Sequence, residues 1–136
     1  HDPKNHEVMV KIRAEKVANV ANNIPLQELE GDKTGDLLIV SWGGTYGATH
    51  GAVAKAREAG KKVSLMHLQY LNPMPRNIAE LMKGFKRILV PELNMVQLKF
   101  ILNAQFQCQA IGYNKVQGLP FKISELVDVI NRTIES

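Results

Sequence analysis

Residues 37–73 read LLIVSWGGTYGATHGAVAKAREAGKKVSLMHLQYLNP. An apolar run meets a glycine-rich turn, an alanine-rich stretch follows, and a second apolar run closes the unit. Leu37–Trp42 is short, apolar and bounded by turn residues, which predicts a buried strand. Thr45–Ala59 predicts a helix whose stripe of Ala48, Ala52, Ala56 and Ala59 lets it approach a sheet closely, and Gly60 is placed to end it. Val63–Leu71 then predicts a second strand, completing a strand–helix–strand unit.

The alternation continues downstream. Asn72-Pro73-Met74-Pro75 turns into a helix ending at Gly84, and Arg87–Val90 predicts a third strand. Asn94 is read as the cap of a helix of about twelve residues. Gln109–Gly112 predicts a short fourth strand, and Ser124 is read as the cap of a last amphipathic helix with Leu126, Val127 and Ile130 inward. Strands joined through helices imply an α/β fold, a three-layer, doubly wound, mainly parallel sheet. Right-handed crossovers place the loops after the strands at one edge, where α/β proteins bind ligands. That edge collects Gly43–Gly47, Tyr70–Asn72, Glu92–Asn94 and Tyr113–Lys115.

Upstream, Asp2-Pro3 is a helix start. Met9, Ile12, Val17, Val20 and Ile24 recur at spacings that predict a loose amphipathic helix over residues 3–22. Residues 26–36 (LQELEGDKTGD) are a polar connector. The expected organisation is a leading helix and linker over 1–24 and an α/β domain over 25–136. The chain opens HDPKNH, without a Met, and is read as a piece of a longer protein.

Bulk composition narrows the classes. The 136 residues are 45% hydrophobic and 22% charged, ordinary values for one globular domain. No apolar run reaches membrane-span length, and the opening lacks a signal-peptide pattern. One cysteine, Cys108, precludes an internal disulfide or a self-contained iron–sulfur cluster and fits a reducing cytoplasm. The four histidines fall at no zinc-ligand spacing. The formal net charge of +4 is concentrated in residues 55–115, where Lys61/Lys62 and Lys86/Arg87 stand out. Two readings stay open for them: cations favoured at helix C-termini, or a face that meets an acidic partner or a phosphorylated ligand.

Individual candidates are weak on chemistry alone. Gly43 and Gly44 permit a tight turn, and the backbone at Thr45 and Tyr46 would attract an anion. However, the three-glycine dinucleotide pattern, its acidic partner and a P-loop Lys-Ser/Thr are missing, so the turn either binds an anion or only turns a corner. GDKTGD (31–36) lacks the second glycine and paired asparagines of a metal-diphosphate motif and reads as a surface turn. His67 reads as a hydrogen-bonded core histidine, and His50 has no carboxylate in sequence reach. Cys108 reads as a buried, inert thiol. Glu92 either faces a site or interacts with the N-terminus of the next helix. No nucleophile, base or metal set emerges, and catalysis by this piece alone is not expected.

The order of motifs nevertheless points to a family. A strand running into WGGTYGA, a strand ending HLQYLNPMP and a strand ending LVPELN, then GYNKVQGLPF, together resemble the C-terminal domain of the transketolase superfamily. More narrowly, they resemble the alpha subunit of 2-oxoacid:ferredoxin oxidoreductases, most like the 2-oxoglutarate type. The resemblance covers nearly the whole chain; Gly44 departs from it, where Ser is expected. It implies an accessory domain that serves subunit assembly and walls the active site. The complete enzyme would carry thiamine diphosphate, Mg and an iron–sulfur cluster. The implied neighbours are a preceding pyrimidine-binding domain, the beta subunit, ferredoxin and coenzyme A, with no nucleic acid and no membrane. Weak cofactor contacts are expected from Gly43, Gly44, Thr45 and Tyr46. Interface or active-site wall is expected from Tyr70, Asn72, Glu92, Asn94, Asn114 and Lys115. The alternative is a non-catalytic nucleotide- or protein-binding α/β module.

Overall fold

A computed structural model describes residues 23–93, 97–115 and 119–136. The expected leading helix over 3–22 and Asn94 lie outside the described residues.

The strands are β1 (Gly35–Trp42), β2 (Val63–Leu68), β3 (Phe85–Leu93) and β4 (Ile111–Lys115). They form one parallel sheet in the order β2-β1-β3-β4. The helices are α1 (Tyr46–Glu58), α2 (Ile78–Met82), α3 (Leu98–Phe106) and α4 (Ile123–Glu135). Alternate residues of β1 enter opposite cores. Leu37 and Ile39 pack with Ala52, Val53 and Ala56 of α1 and Leu126, Val129 and Ile130 of α4. Leu38 and Val40 pack with Ile78 and Met82 of α2 and Leu98 and Leu102 of α3. Two apolar faces on one strand require two covering layers, which is the three-layer doubly wound arrangement the sequence predicted.

Of the alanine stripe, Ala52 and Ala56 are buried and Ala48 is half-buried against the sheet, whereas Ala59 is exposed just past the helix; Gly60, with φ +84, follows as expected. Its neighbourhood satisfies the last carbonyls: Ala59 N–H donates to Lys55 O, Gly60 N–H to Arg57 O, and Lys61 N–H to Ala56 O.

Several boundaries differ from expectation. β2 stops at Leu68, and residues 69–77 make turns, including a cis Asn72–Pro73 bond. The helix before Gly84 is only Ile78–Met82. β3 runs through Pro91 to Leu93. Its pairing with β1 ends at Leu89, while its pairing with β4 continues to Leu93. Pro91 therefore sits where β3 has a partner on one side only, and its missing N–H costs no ladder bond there. β4 is Ile111–Lys115, two residues later than predicted at its start.

Helix starts were also misread. Ser124 is not the cap of α4: Lys122 N–H donates to Glu125 Oε1 at 2.8 Å, and the helix begins at Ile123. Its inward face includes Val129 and Thr133 beside Leu126 and Ile130, whereas Val127 packs at the margin. Cys108 is half-buried, and its Sγ lies 3.4 Å from Asn103 Oδ1. The segment ahead of β1 forms an arm along the outer side of β2. Glu30 and Leu65 exchange antiparallel backbone bonds of 2.9 Å each way, and the Asn77 side chain brackets Gln27. Among the described residues no helix is long and apolar enough to cross a membrane.

Candidate functional site

Because all four strands are parallel, their carboxyl ends share one edge. Connections after β1 and β3 depart in opposite directions, toward β2 and β4, so the switch point lies between those two strand ends. Gly43–Thr45 forms a single 3-10 turn at the end of β1. Gly43 has φ +64, which only a glycine adopts without strain, and Gly44 is exposed with open space around it. Thr45 is buried and its hydroxyl donates to Trp42 O at 2.9 Å, so its side chain is spent on closing the corner. Tyr46 emerges at the start of α1, 39% exposed.

Tyr70 and Asn72, after β2, are exposed on the same edge. Tyr70 lines a cleft of about 700 Å³ together with Pro25–Glu30, Tyr46, His67, Gln69 and Pro75. Asn114 is exposed on β4.

Glu92 and Lys115 do not project as free site groups. Glu92 is 3% exposed, and its carboxylate accepts the N–H groups of Gln97, Leu98 and Lys99 at 3.0, 2.7 and 3.2 Å. It caps the N-terminus of α3, where an anion is favoured and three orphan donors need acceptors. Of its two sequence readings, the structure selects the helix cap. Lys115 donates to Glu125 Oε1 at 2.6 Å and to Pro120 O at 3.2 Å. Its charge ties β4 to α4.

The cleft holds polar groups that the sequence reading did not join. His50 Nδ1 lies 2.5 Å from Glu30 Oε1, a carboxylate supplied from 20 residues upstream by the arm. The expectation that His50 lacks a carboxylate was wrong because the pair forms only once the arm packs along β2. The Tyr46 ring stacks on His50, with centroids 5.3 Å apart, and tilts against His67 at 4.8 Å. Hydrogen bonding with Glu30, then burial and the same negative charge, raise the Tyr46 hydroxyl above its usual pKa of 10.0. The phenol stays protonated.

His67 is hydrogen-bonded, as expected, but it also lines the cleft. Its Nδ1 lies 2.8 Å from Ser41 Oγ, which lies 3.2 Å from Thr49 Oγ1. Thr49 donates to the carbonyl of Thr45 at 3.0 Å or of Tyr46 at 3.1 Å. With that proton committed, Thr49 accepts from Ser41, and Ser41 accepts from His67 Nδ1–H. The chain of protons leaves Nε2 as the acceptor. Burial lowers the His67 pKa below 6.5, partly opposed by Glu30, so the ring is neutral at pH 7. Ser41 is fully buried, so its contact with a histidine is structural and makes no nucleophile. Among the described residues, this edge offers an acceptor at His67 Nε2 and the stacked rings of Tyr46 and His50.

Among the described residues no group of three His, Cys, Asp or Glu comes together.

Comparison with known proteins agrees with this architecture. Residues 35–117 match the family model described as pyruvate:ferredoxin oxidoreductase core domain II. The chain is 36% identical over 138 aligned residues to the 2-oxoglutarate oxidoreductase subunit KorA of Mycobacterium tuberculosis, covering 100% of this chain and 20% of that protein. It is 26% identical to the alpha subunit of 2-oxoacid:ferredoxin oxidoreductase 2 of Aeropyrum pernix, covering 99% of this chain and 22% of that one. It thus spans about a fifth of the length of these relatives. Among solved structures, a 2-oxoglutarate:ferredoxin oxidoreductase from Magnetococcus marinus, with 2-oxoglutarate, coenzyme A and succinyl-CoA bound, superposes with a TM-score of 0.83 at 31% identity. That match covers 98% of this chain and 24% of the other. A split-gene transketolase shares the fold at a TM-score of 0.55 and 13% identity, covering 79% of this chain and 41% of that one. With the model match running from the start of β1 to just past β4, this chain belongs to the pyruvate:ferredoxin oxidoreductase core domain II family.

Proposed function

We propose that this chain is the accessory domain of the alpha subunit of a 2-oxoacid:ferredoxin oxidoreductase that acts on 2-oxoglutarate. The complete enzyme would oxidatively decarboxylate the 2-oxo acid to its coenzyme A thioester and pass the electrons to ferredoxin. The observation that carries this reading is the chain-long superposition on a 2-oxoglutarate:ferredoxin oxidoreductase at 31% identity. The curated relatives are subunits of enzymes of the same class.

The residues in hand do not fit the redox and decarboxylating cofactors of such an enzyme. One thiol cannot ligate an iron–sulfur cluster, and no trio of metal donors gathers among the described residues. Thiamine diphosphate, its Mg and the cluster are therefore assigned to other domains and to the beta subunit, and no chemical step is proposed on the described residues. Its work is to present the carboxyl edge of the sheet as a wall. Gly43, Gly44, Tyr46, Tyr70 and Asn72 face outward there, while Glu92 and Lys115 hold α3 and the β4–α4 connection in shape behind them. The outward tyrosines, 39% and 43% exposed, are the rings expected to meet a neighbouring domain or subunit.

The test is made on the full-length alpha subunit purified with its beta partner. Coenzyme A-dependent reduction of ferredoxin by 2-oxoglutarate, pyruvate and branched-chain 2-oxo acids is measured with thiamine diphosphate supplied. Turnover with 2-oxoglutarate is expected; preference for another 2-oxo acid would reassign the substrate, and inactivity of a folded complex with all of them would remove the assignment.

A further inference from the structure

We infer that the flank formed by the outer face of α3 and by β4 packs permanently against another part of the same, longer polypeptide. This rests on the reading of the chain as one domain of a longer subunit.

The first observation is the composition of α3, LKFILNAQF (Leu98–Phe106), in which Lys99 is the one charged side chain. Its inner face is complete, with Leu98 and Leu102 essentially inaccessible. Helical geometry puts Phe100, Ile101 and Ala104 together on the opposite side. Phe100 is 67% exposed, Ile101 39%, and Ala104 is exposed as well. A helix apolar on both faces belongs between two layers of protein. Fully burying a phenylalanine side chain gains roughly 1.5–3 kcal/mol relative to leaving it in water, so this ring has a strong reason to be covered.

The second observation is independent of the helix. The two edges of the sheet are treated differently. The β2 edge is covered by the chain's own arm through the Glu30–Leu65 backbone pair and the Gln27 contacts. The β4 edge has no strand beyond it among the described residues, and Ile111 is 38% exposed on it. The helix and the terminal strand adjoin each other: the Lys99 side chain lies over Gly112, where a Cβ would meet its Cδ at 2.9 Å.

The occupant follows from length and charge. The chain spans 20% and 22% of its curated relatives, so most of such a subunit lies outside it. The outer face of α3 carries no carboxylate and Lys99 is the one charge of that helix, while Lys115 on β4 is already paired with Glu125, so little in the patch steers a separate partner by charge. A largely apolar patch suits a neighbour that is always present, as a covalently joined domain is.

The experiment places the photo-cross-linker p-benzoylphenylalanine at position 100 of the full-length alpha subunit, in the complete enzyme. After irradiation, linked peptides are identified by mass, using a mixture of isotopically light and heavy subunits. The expected product joins position 100 to a peptide of the same polypeptide outside these 136 residues. A bond only to residues of this stretch, to a second copy, or to the beta subunit would overturn the inference, and so would the absence of any product. As a second readout, Phe100→Ser should lower the melting temperature of the full-length subunit while its far-ultraviolet spectrum stays unchanged; an unshifted melting temperature counts against the inference. Oxidoreductase turnover of the unmodified enzyme is measured in parallel. A correct cross-link in an enzyme without 2-oxo acid turnover would leave this interface standing and remove only the proposed activity.

Discussion

Lys115 Nζ sits 2.6 Å from Glu125 Oε1, and Tyr113 donates its hydroxyl to the other oxygen of the same carboxylate at 2.9 Å. Two side chains of β4 thus converge on the first turn of α4. Lys115, the Lys122 backbone N–H and Tyr113 hold the Glu125 carboxyl down at about 2, against an ordinary 4.5. The folded pKa is depressed, so the contribution to stability is fully present above about 4.5 and fades as pH falls toward about 2. In thermal unfolding followed against pH, wild type should exceed Glu125→Gln at neutral pH, and the gap should close across that window. A gap independent of pH would show that the ionised carboxylate is not what holds the turn.

Ser41 lies between Thr49 and His67 in a chain with no exposed member until the imidazole edge. Ser41→Ala removes the acceptor of Nδ1–H and the donor to Thr49, at an expected cost of about 1–3 kcal/mol in urea unfolding. Nitrogen-15 spectra of the wild-type imidazole should show the Nδ1–H tautomer, and the variant should lose that preference. Finding the Nε2–H tautomer in wild type would reverse the direction assigned to the chain.

Glu92, at the end of β3, closes the N-terminus of α3. Glu92→Ala leaves three backbone donors of α3 without their acceptor, and a loss of about 2 kcal/mol is expected, with hydrogen exchange accelerated first in Leu98–Phe106. Glu92→Gln keeps acceptor oxygen and should lose less. Equal losses for both variants would mean that the charge, not the acceptor geometry, carries the cap.

Glycines at the two ends of the sheet should respond in opposite ways. A Cβ on Gly35 would meet Lys62 O at 2.7 Å, and one on Gly84 would meet Lys33 O at 2.3 Å, both backbone atoms. Gly35→Ala and Gly84→Ala should each cost about 1–3 kcal/mol. Gly44 has open space around it and no positive φ, so Gly44→Ala should leave the melting temperature unchanged. If the same change raised a Michaelis constant in the complete enzyme, some group of that enzyme must approach the Gly43–Gly44 backbone closely. An unchanged constant would leave the turn as a corner only.

Periodicity and punctuation carried most of the fold. The apolar runs at β1 and β2, the alanine stripe of α1, Gly60 and the final amphipathic helix are all local patterns, and each emerged at or near its predicted place. Ends were less legible. β3 runs past Pro91 because its pairing with β4 continues to Leu93 after its pairing with β1 has ended at Leu89, and β2 fell short of Leu71 because the following residues turn away. Neither outcome is written in the residues concerned, since each depends on how neighbouring segments pair and turn.

From its residues alone, this protein had its element order, its parallel sheet and its family resemblance determined, because strand and helix periods and turn residues act over a few positions. The folded chain alone decided how the charges and protons are shared. Glu30 reaches His50 across 20 residues, Glu92 turns back to cap α3, and Lys115 is drawn to Glu125. Those partnerships depend on strand register and on the layering of helices over the sheet. A side chain is free for a site only if packing has not already given it a nearer partner.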